Sequence, residues 1–382
     1  MSHTQKPPLS LYIHFPWCVA KCPYCDFNSH VHRGELPHER YIGRLLEEMQ
    51  LIARQYDGRA LVSIFMGGGT PSLFPPEHIA TLLSQIQASW PIAPDAEITL
   101  EANPGALEYG SMAGYKHAGI TRVSLGAQSF DVNLLKSLGR IHQPEDTRTA
   151  VAEIQAAGIC DFNLDLMNQL PQQTPALACE DLQAALALDP THISLYELTI
   201  EPNTVFAAHP PPQPDEAIGE AIYSQAMRLL SAAGYEQYEV SAFAKPGHRC
   251  RHNLNYWEFG DYLAIGAGAH GKWTTDAGQI LRTENAKLPR DYLNQPWEQI
   301  HSQTSIPRDR LPFEFLLNAL RLKAGFSVAL LSERTGLTLQ DLEPGLEQCL
   351  SRQLLTVSDA RVVPTQQGYR YLNEVLTHFL EV

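Results

Sequence analysis

Along the first two hundred residues, short β-favouring runs alternate with longer stretches in which apolar residues return every three or four positions. The short runs fall at residues 9–15, 61–66, 97–102, 122–127, 161–166 and 193–200. Between the first two, residues 39–55 place Ile42, Leu45, Leu46, Met49 and Ile52 on one face at helical spacing. Residues 145–157 and 177–188 carry helical patterns of the same kind. Strand–helix alternation repeated six times predicts a parallel sheet covered by helices. Six units are too few for a closed eight-fold barrel, so the expected fold is α/β, a partial and open (β/α)6 barrel. In such folds the chemistry gathers at the C-terminal ends of the strands.

The pattern changes after residue 208. His209-Pro-Pro-Pro-Gln-Pro214 breaks any regular element and reads as an extended connector. An amphipathic helix is expected over 215–233, ending at Gly234. A glycine- and aromatic-rich stretch follows at 243–273, then a polar segment at 284–311. From Phe313 onward the periodicity is mainly helical. Residues 328–335, 339–349, 354–357 and 360–364 together resemble a small winged helix. The expected division is 1–234 for the barrel, 235–304 for a linking region, and 305–382 for the C-terminal domain.

Composition narrows the function classes. The chain of 382 residues is 44% hydrophobic, enough for a large core, with a formal net charge of −14. That balance argues against nucleic acid as a partner, and residues 305–382 carry eight basic against nine acidic side chains, so the winged segment makes a poor phosphate binder. No run approaches the roughly 20 apolar residues of a membrane span, although peripheral contact through an exposed helix stays open. Residues 1–8 hold no apolar leader. Seven cysteines, sparse and odd in number, fit reduced thiols better than disulfides. A cytoplasmic setting is expected; the oligomeric state is not legible.

Three of those cysteines form the candidate chemistry: Cys18, Cys22 and Cys25 in Pro16-Trp-Cys-Val-Ala-Lys-Cys-Pro-Tyr-Cys-Asp-Phe27, directly after the first strand. Three thiolates on one loop can hold three corners of a [4Fe–4S] cluster and leave the fourth iron open. Structural zinc is the competing reading; it needs a fourth ligand, for which His14 and His30 are the nearest candidates. Met66-Gly-Gly-Gly-Thr-Pro-Ser72 follows the second strand, and its glycines permit close backbone approach to a ligand or simply a tight turn. Glu101, Gln128, Arg140 and Asp165 lie at or just past strand ends. Acids, an amide and a guanidinium converging on one face suit a cationic, hydroxyl-rich ligand that also carries a carboxylate.

These motifs, in this order and spacing, resemble the radical S-adenosylmethionine (SAM) superfamily over essentially the whole chain. They are most similar to the branch holding oxygen-independent coproporphyrinogen III oxidase and the HemW haem chaperones. The resemblance implies a radical SAM type of partial barrel, cluster ligation by Cys18, Cys22 and Cys25, and SAM contacts from Tyr12, Tyr24, Gly68, Gly69, Thr70, Glu101, Gln128, Arg140 and Asp165. Two departures favour the chaperones. The oxidases carry a fourth cysteine two residues beyond the third, where this chain has Phe27, and they have a longer segment before the cysteine loop. Further on, Cys250-Arg-His-Asn-Leu-Asn-Tyr-Trp257 resembles the H-N-x-x-Y-W motif associated with haem in HemW proteins, matched by His252, Asn253, Tyr256 and Trp257. His252 or Cys250 would supply the axial ligand, and Arg251 would pair with a propionate. The glycine-rich run 260–271 would pack against the cofactor side of the barrel or form a plain tight core. The function implied is binding of haem and its delivery to acceptor proteins whose identity the sequence does not give. The alternative is oxidative decarboxylation of a porphyrinogen.

Overall fold

The computed structural model describes residues 6–53, 58–105 and 111–380. Each of the six short runs is a strand: β1 (Leu9–Phe15), β2 (Leu61–Gly68), β3 (Ile92–Ala102), β4 (Arg122–Gln128), β5 (Asp161–Asn168) and β6 (His192–Glu197). They pair in parallel in chain order. The helices between them include His38–Ala53, Pro144–Ala156 and Pro175–Leu186. The last two residues of the helix expected over 39–55 lie outside the described residues.

β1, β4 and the first six residues of β5 alternate between apolar and polar positions. In β1, Leu9, Leu11, Ile13 and Phe15 join the main hydrophobic core, and so do Val123, Leu125 and Ala127 of β4 and Phe162, Leu164 and Leu166 of β5. That core takes Ile42, Leu45 and Met49 from the His38–Ala53 helix, so the apolar faces point outward to the helices. The other face of each strand is polar: Ser10, Tyr12 and His14; Glu97, Thr99 and Glu101; Arg122, Ser124 and Gln128; Asp161, Asn163 and Asp165. Packed barrels fill this interior with branched apolar residues. Here it is lined with hydrogen-bonding groups.

Beyond residue 234 the structure departs from expectation. The stretch 235–304 is built mostly of strands: β7 (Glu236–Glu239), β8 (Ala242–Ala244), β9 (Asp261–Ile265), β10 (His270–Thr274), β11 (Ile280–Asn285) and β12 (His301–Ser305). Among the described residues the sheet has twelve strands in the order β12-β11-β10-β9-β1-β2-β3-β4-β5-β6-β8-β7, running from one edge to the other without closing. β9 pairs in parallel with β1, so the parallel block has seven strands rather than six. β12, His-Ser-Gln-Thr-Ser, is exposed along most of its length and has no apolar alternation to betray it.

The C-terminal segment forms a second core around Leu316, Phe326, Leu331, Leu346 and Phe379, which also takes Ile280 from the sheet and Phe259 from the turn before β9. The helix Val328–Thr335 ends at Gly336 in the left-handed region, and the strands Leu355–Ser358 and Arg361–Pro364 form the wing. The run 339–349 divides into a 3-10 turn and the helix Gly345–Ser351 at Pro344, which has no N–H to donate. This unit meets the sheet edge where Lys323 N–H donates to Tyr238 O at 3.0 Å. Among the described residues no helix is long and apolar enough to cross a membrane.

Candidate functional site

The cysteine loop leaves the C-terminal end of β1 and is fastened to its neighbours by backbone bonds. His30 N–H donates to Pro16 O at 2.7 Å, and His32 N–H to Cys18 O at 3.3 Å. The glycine run after β2 docks on the same loop: Gly69 N–H donates to Phe15 O at 2.6 Å and Thr70 N–H to Trp17 O at 2.8 Å. A Cβ on Gly69 would stand 2.5 Å from Trp17 O, and one on Gly68, whose φ is +105°, would stand 2.3 Å from the His14 ring. Glycine is therefore required for the two loops to meet, before any ligand is considered.

All three thiols are free and partly buried. Each has a polar neighbour. Thr70 Oγ1–H donates to Cys18 Sγ at 3.5 Å, Arg140 Nη1–H to Cys22 Sγ at 3.6 Å, and Ser29 Oγ lies 3.7 Å from Cys25 Sγ. Burial pushes the Cys18 thiol up, with the Thr70 bond acting against it. His14 and His30 do not turn toward the sulfurs. The two ring nitrogens of His14 are bonded to Tyr12 Oη and Asn28 O, and Nε2 of His30 faces Asn28 Oδ1 and Lys287 O. Among the described residues no three His, Cys, Asp or Glu side chains are arranged to hold a metal ion. A zinc site with either histidine as fourth ligand therefore has no support. Three separate thiols, each with its own hydrogen-bond partner, fit corner-by-corner ligation of a [4Fe–4S] cluster.

The strand-end residues surround that loop. Glu101 accepts from Gly68 N–H at 3.1 Å. Burial, with repulsion from Asp165, pushes its carboxyl up to about 8. Asp165 accepts from Asn163 Nδ2 at 2.7 Å and Ser124 Oγ at 3.1 Å, and burial raises its pKa as well. Neither carboxylate forms an ion pair among the described residues. Two half-buried acids without a cation are what a positively charged ligand would complete. Gln128 sits on a bulge in β4 with φ of +65°, which re-aims its amide. Arg140 Nη2–H donates to Asn103 Oδ1 and Gly126 O, both at 2.7 Å. A pocket beside Cys22 is lined by Thr70, Asn103, Arg140, Val19 and Ile141.

Of the predicted residues, Cys18, Cys22, Cys25, Gly68, Gly69, Thr70, Glu101, Gln128, Arg140 and Asp165 therefore meet at one end of the barrel. Tyr24, on the same loop, packs against Phe206. Tyr12 stands further down β1, stacked on Phe65 at 6.3 Å between ring centres. Sequence reasoning missed Asn103, Ser29, Ser124 and Asn163. For Ser124 and Asn163 the signal was available: they occupy the polar phase of strands whose other phase is apolar.

His252 is not brought to this end. Its helix, Arg251–Trp257, plugs the opposite, N-terminal end of the barrel. Glu97 of β3 caps that helix, accepting from Cys250 Sγ–H at 3.3 Å and from the N–H groups of Arg251 and His252 at 3.2 Å. The His252 ring is 1% exposed, stacks on Phe65 at 4.9 Å, and has Nδ1 bonded to Ser63 Oγ at 3.0 Å and Nε2 to Tyr256 Oη at 2.9 Å. Burial lowers its pKa to about 3. In this conformation neither nitrogen faces an open position, and the Cys250 thiol is buried too.

Comparison with known proteins gives the family. Residues 12–183 match the radical SAM superfamily, and residues 306–371 match the HemN C-terminal domain. The chain is 46% identical over 374 residues to the haem chaperone HemW of Escherichia coli, covering 98% of both chains. It is 34% identical over 384 residues to that of Bacillus subtilis, covering 97% of this chain and 99% of that one. The coproporphyrinogen III oxidase of Escherichia coli superposes with a TM-score of 0.82 at 22% identity, covering 98% of this chain and 90% of that one, which shows a shared fold. By its cysteine loop, its open barrel and its full-length likeness to these relatives, the chain belongs to the HemW family of radical SAM proteins.

Proposed function

We propose that this protein binds haem, carries a [4Fe–4S] cluster with SAM, and hands haem to acceptor proteins in the cytoplasm. The observation that carries the cofactor half is the convergence of three thiols with polar neighbours and two half-buried acids without a cation at one barrel end. Cys18, Cys22 and Cys25 would hold three irons. Glu101 and Asp165 would face the cationic and hydroxyl groups of SAM, and Arg140 its carboxylate. When bound and reduced, such a cluster supplies an electron to SAM. The protein's own contribution is to bind, orient and desolvate it.

The haem half rests on the relatives, which are named haem chaperones along the whole of this chain. His252 and Cys250 remain the candidate axial ligands of the motif. Ligation through His252 requires its ring to give up the Ser63 or the Tyr256 bond, and ligation through Cys250 requires its thiol to leave Glu97. We propose with this the division into 1–234, 235–304 and 305–382. The test is anaerobic reconstitution followed by haem titration with and without SAM. Stoichiometric binding that weakens in His252→Gln or Cys250→Ala supports the reading. Conversion of coproporphyrinogen III to protoporphyrinogen by the same preparation would replace it with an oxidase.

A further inference from the structure

Asn103, just beyond the end of β3, touches neither cysteine, yet it joins the donors of two of them. Its Nδ2–H donates to Thr70 Oγ1 at 2.9 Å, and Thr70 Oγ1–H donates in turn to Cys18 Sγ at 3.5 Å. On its other side Oδ1 accepts from Arg140 Nη2–H at 2.7 Å, while Arg140 Nη1–H reaches Cys22 Sγ at 3.6 Å. The result is a continuous arc, Cys18–Thr70–Asn103–Arg140–Cys22, assembled from the ends of three strands and the loop after β4. Space for it is made by a missing side chain: a Cβ on Gly126 would meet Asn103 Oδ1 at 2.8 Å and Arg140 Nη2 at 3.2 Å.

An amide is the group this position needs. A threonine hydroxyl has one proton, and it goes to Cys18 only if its own partner donates to it. Asn103 Nδ2 is that donor. A guanidinium turns its second nitrogen to Cys22 only if the first is held, and Asn103 Oδ1 with Gly126 O holds it. One side chain that donates on one side and accepts on the other thus aims both protons at sulfur. Hydrogen bonds to cluster sulfurs stabilise the more electron-rich, reduced form.

We propose that Asn103 is a positioning residue that directs the Thr70 and Arg140 donors onto the Cys18 and Cys22 sulfurs and thereby raises the reduction potential of the cluster. This rests on the reading of the three cysteines as cluster ligands. Iron and acid-labile sulfide in the reconstituted full-length protein test that reading separately, before any variant is compared. An EPR-monitored redox titration then tests the proposal. Asn103→Leu, of similar size and without hydrogen bonds, is expected to keep its iron and to lower the equilibrium constant for reduction about tenfold, which is about 59 mV for one electron. An unchanged midpoint at full iron content overturns the proposal.

Should Asn103→Leu lose the cluster, a double-mutant cycle decides. Asn103→Asp keeps an acceptor for Arg140 but draws the Thr70 proton away from Cys18. Thr70→Val is therefore expected to lower the midpoint in the native background and to leave it unchanged in the Asn103→Asp background. Equal shifts in both backgrounds would show that Asn103 does not act through Thr70 and overturn the proposal.

Discussion

The two ends of the barrel are built from the same strands, and they differ in what their polar groups still lack. At the floor, Glu97 takes one donor from Cys250 and two from the Arg251–Trp257 helix, and both nitrogens of His252 are bonded. At the mouth, Glu101 and Asp165 are half-buried with no cation paired to them among the described residues, and Thr70 and Arg140 aim donors at the Cys18 and Cys22 thiols. Polarity in a barrel interior is thus a poor guide to a binding site. Unspent charge and unspent hydrogen-bonding capacity are better ones. The floor has closed on itself and the mouth has not.

The largest effect expected from this contrast is on stability. His252→Ala removes a buried ring that stacks on Phe65 and strands the hydroxyls of Ser63 and Tyr256, so it should cost the cofactor-free protein about 3–5 kcal/mol. Cys22→Ala, at the partly buried mouth, should change that stability by no more than about 0.5 kcal/mol while abolishing iron retention. Urea unfolding of the two variants at one pH measures both. A His252→Ala protein as stable as the parent would mean the floor is not held shut by this residue.

A smaller effect is expected in SAM binding against pH. Burial, then the nearby Asp165, holds the Glu101 carboxyl up at about 8, so at neutral pH it is largely protonated before a ligand arrives. A cationic ligand prefers the carboxylate. Affinity should therefore rise with pH, by up to about tenfold per unit, and level off above about 8. Stability of the ligand-free protein runs the other way: the contribution of this group is full below its unfolded value and is lost as pH rises through about 8. In Glu101→Gln the affinity should be lower and flat between pH 6 and 8. Calorimetry across that range, reading proton release with affinity, checks the sign; a wild-type affinity that does not move would remove Glu101 from the cation site.

How much of this was legible in the sequence follows from the same contrast. The six parallel strands were readable because each carries a full apolar phase against the helices, as in Leu9, Leu11, Ile13 and Phe15. The six strands β7–β12 were not: β12 has no apolar phase, and β9 lies within a glycine-rich run. At the mouth, the cysteine spacing and the strand-end positions of Glu101 and Gln128 were legible, whereas Arg140, expected at a strand end, follows the helix Val132–Ser137. The orientation of Asn103 was not, since it depends on Gly126 lacking a side chain. His252 was legible as a motif but not as a closed one, because Ser63 and Phe65, which close it, lie on a strand nearly 190 residues away.

Tyr196 offers the finest test of where the open region ends. It is 42% exposed, and its hydroxyl lies 3.4 Å from Asp165 Oδ1, a long bond beside those from Asn163 and Ser124. If Asp165 is oriented chiefly by those two shorter bonds, Tyr196→Phe should weaken SAM binding by no more than about threefold, under about 0.7 kcal/mol. Asn163→Ala should do more, because the carboxylate then loses its shortest donor and His192 its buried acceptor, 2.7 Å from Nδ1. Equilibrium titrations of both variants at pH 8, where Glu101 contributes in the parent, give the ordering. A loss of tenfold or more in Tyr196→Phe would place that exposed ring against the ligand itself and extend the open mouth to the end of β6.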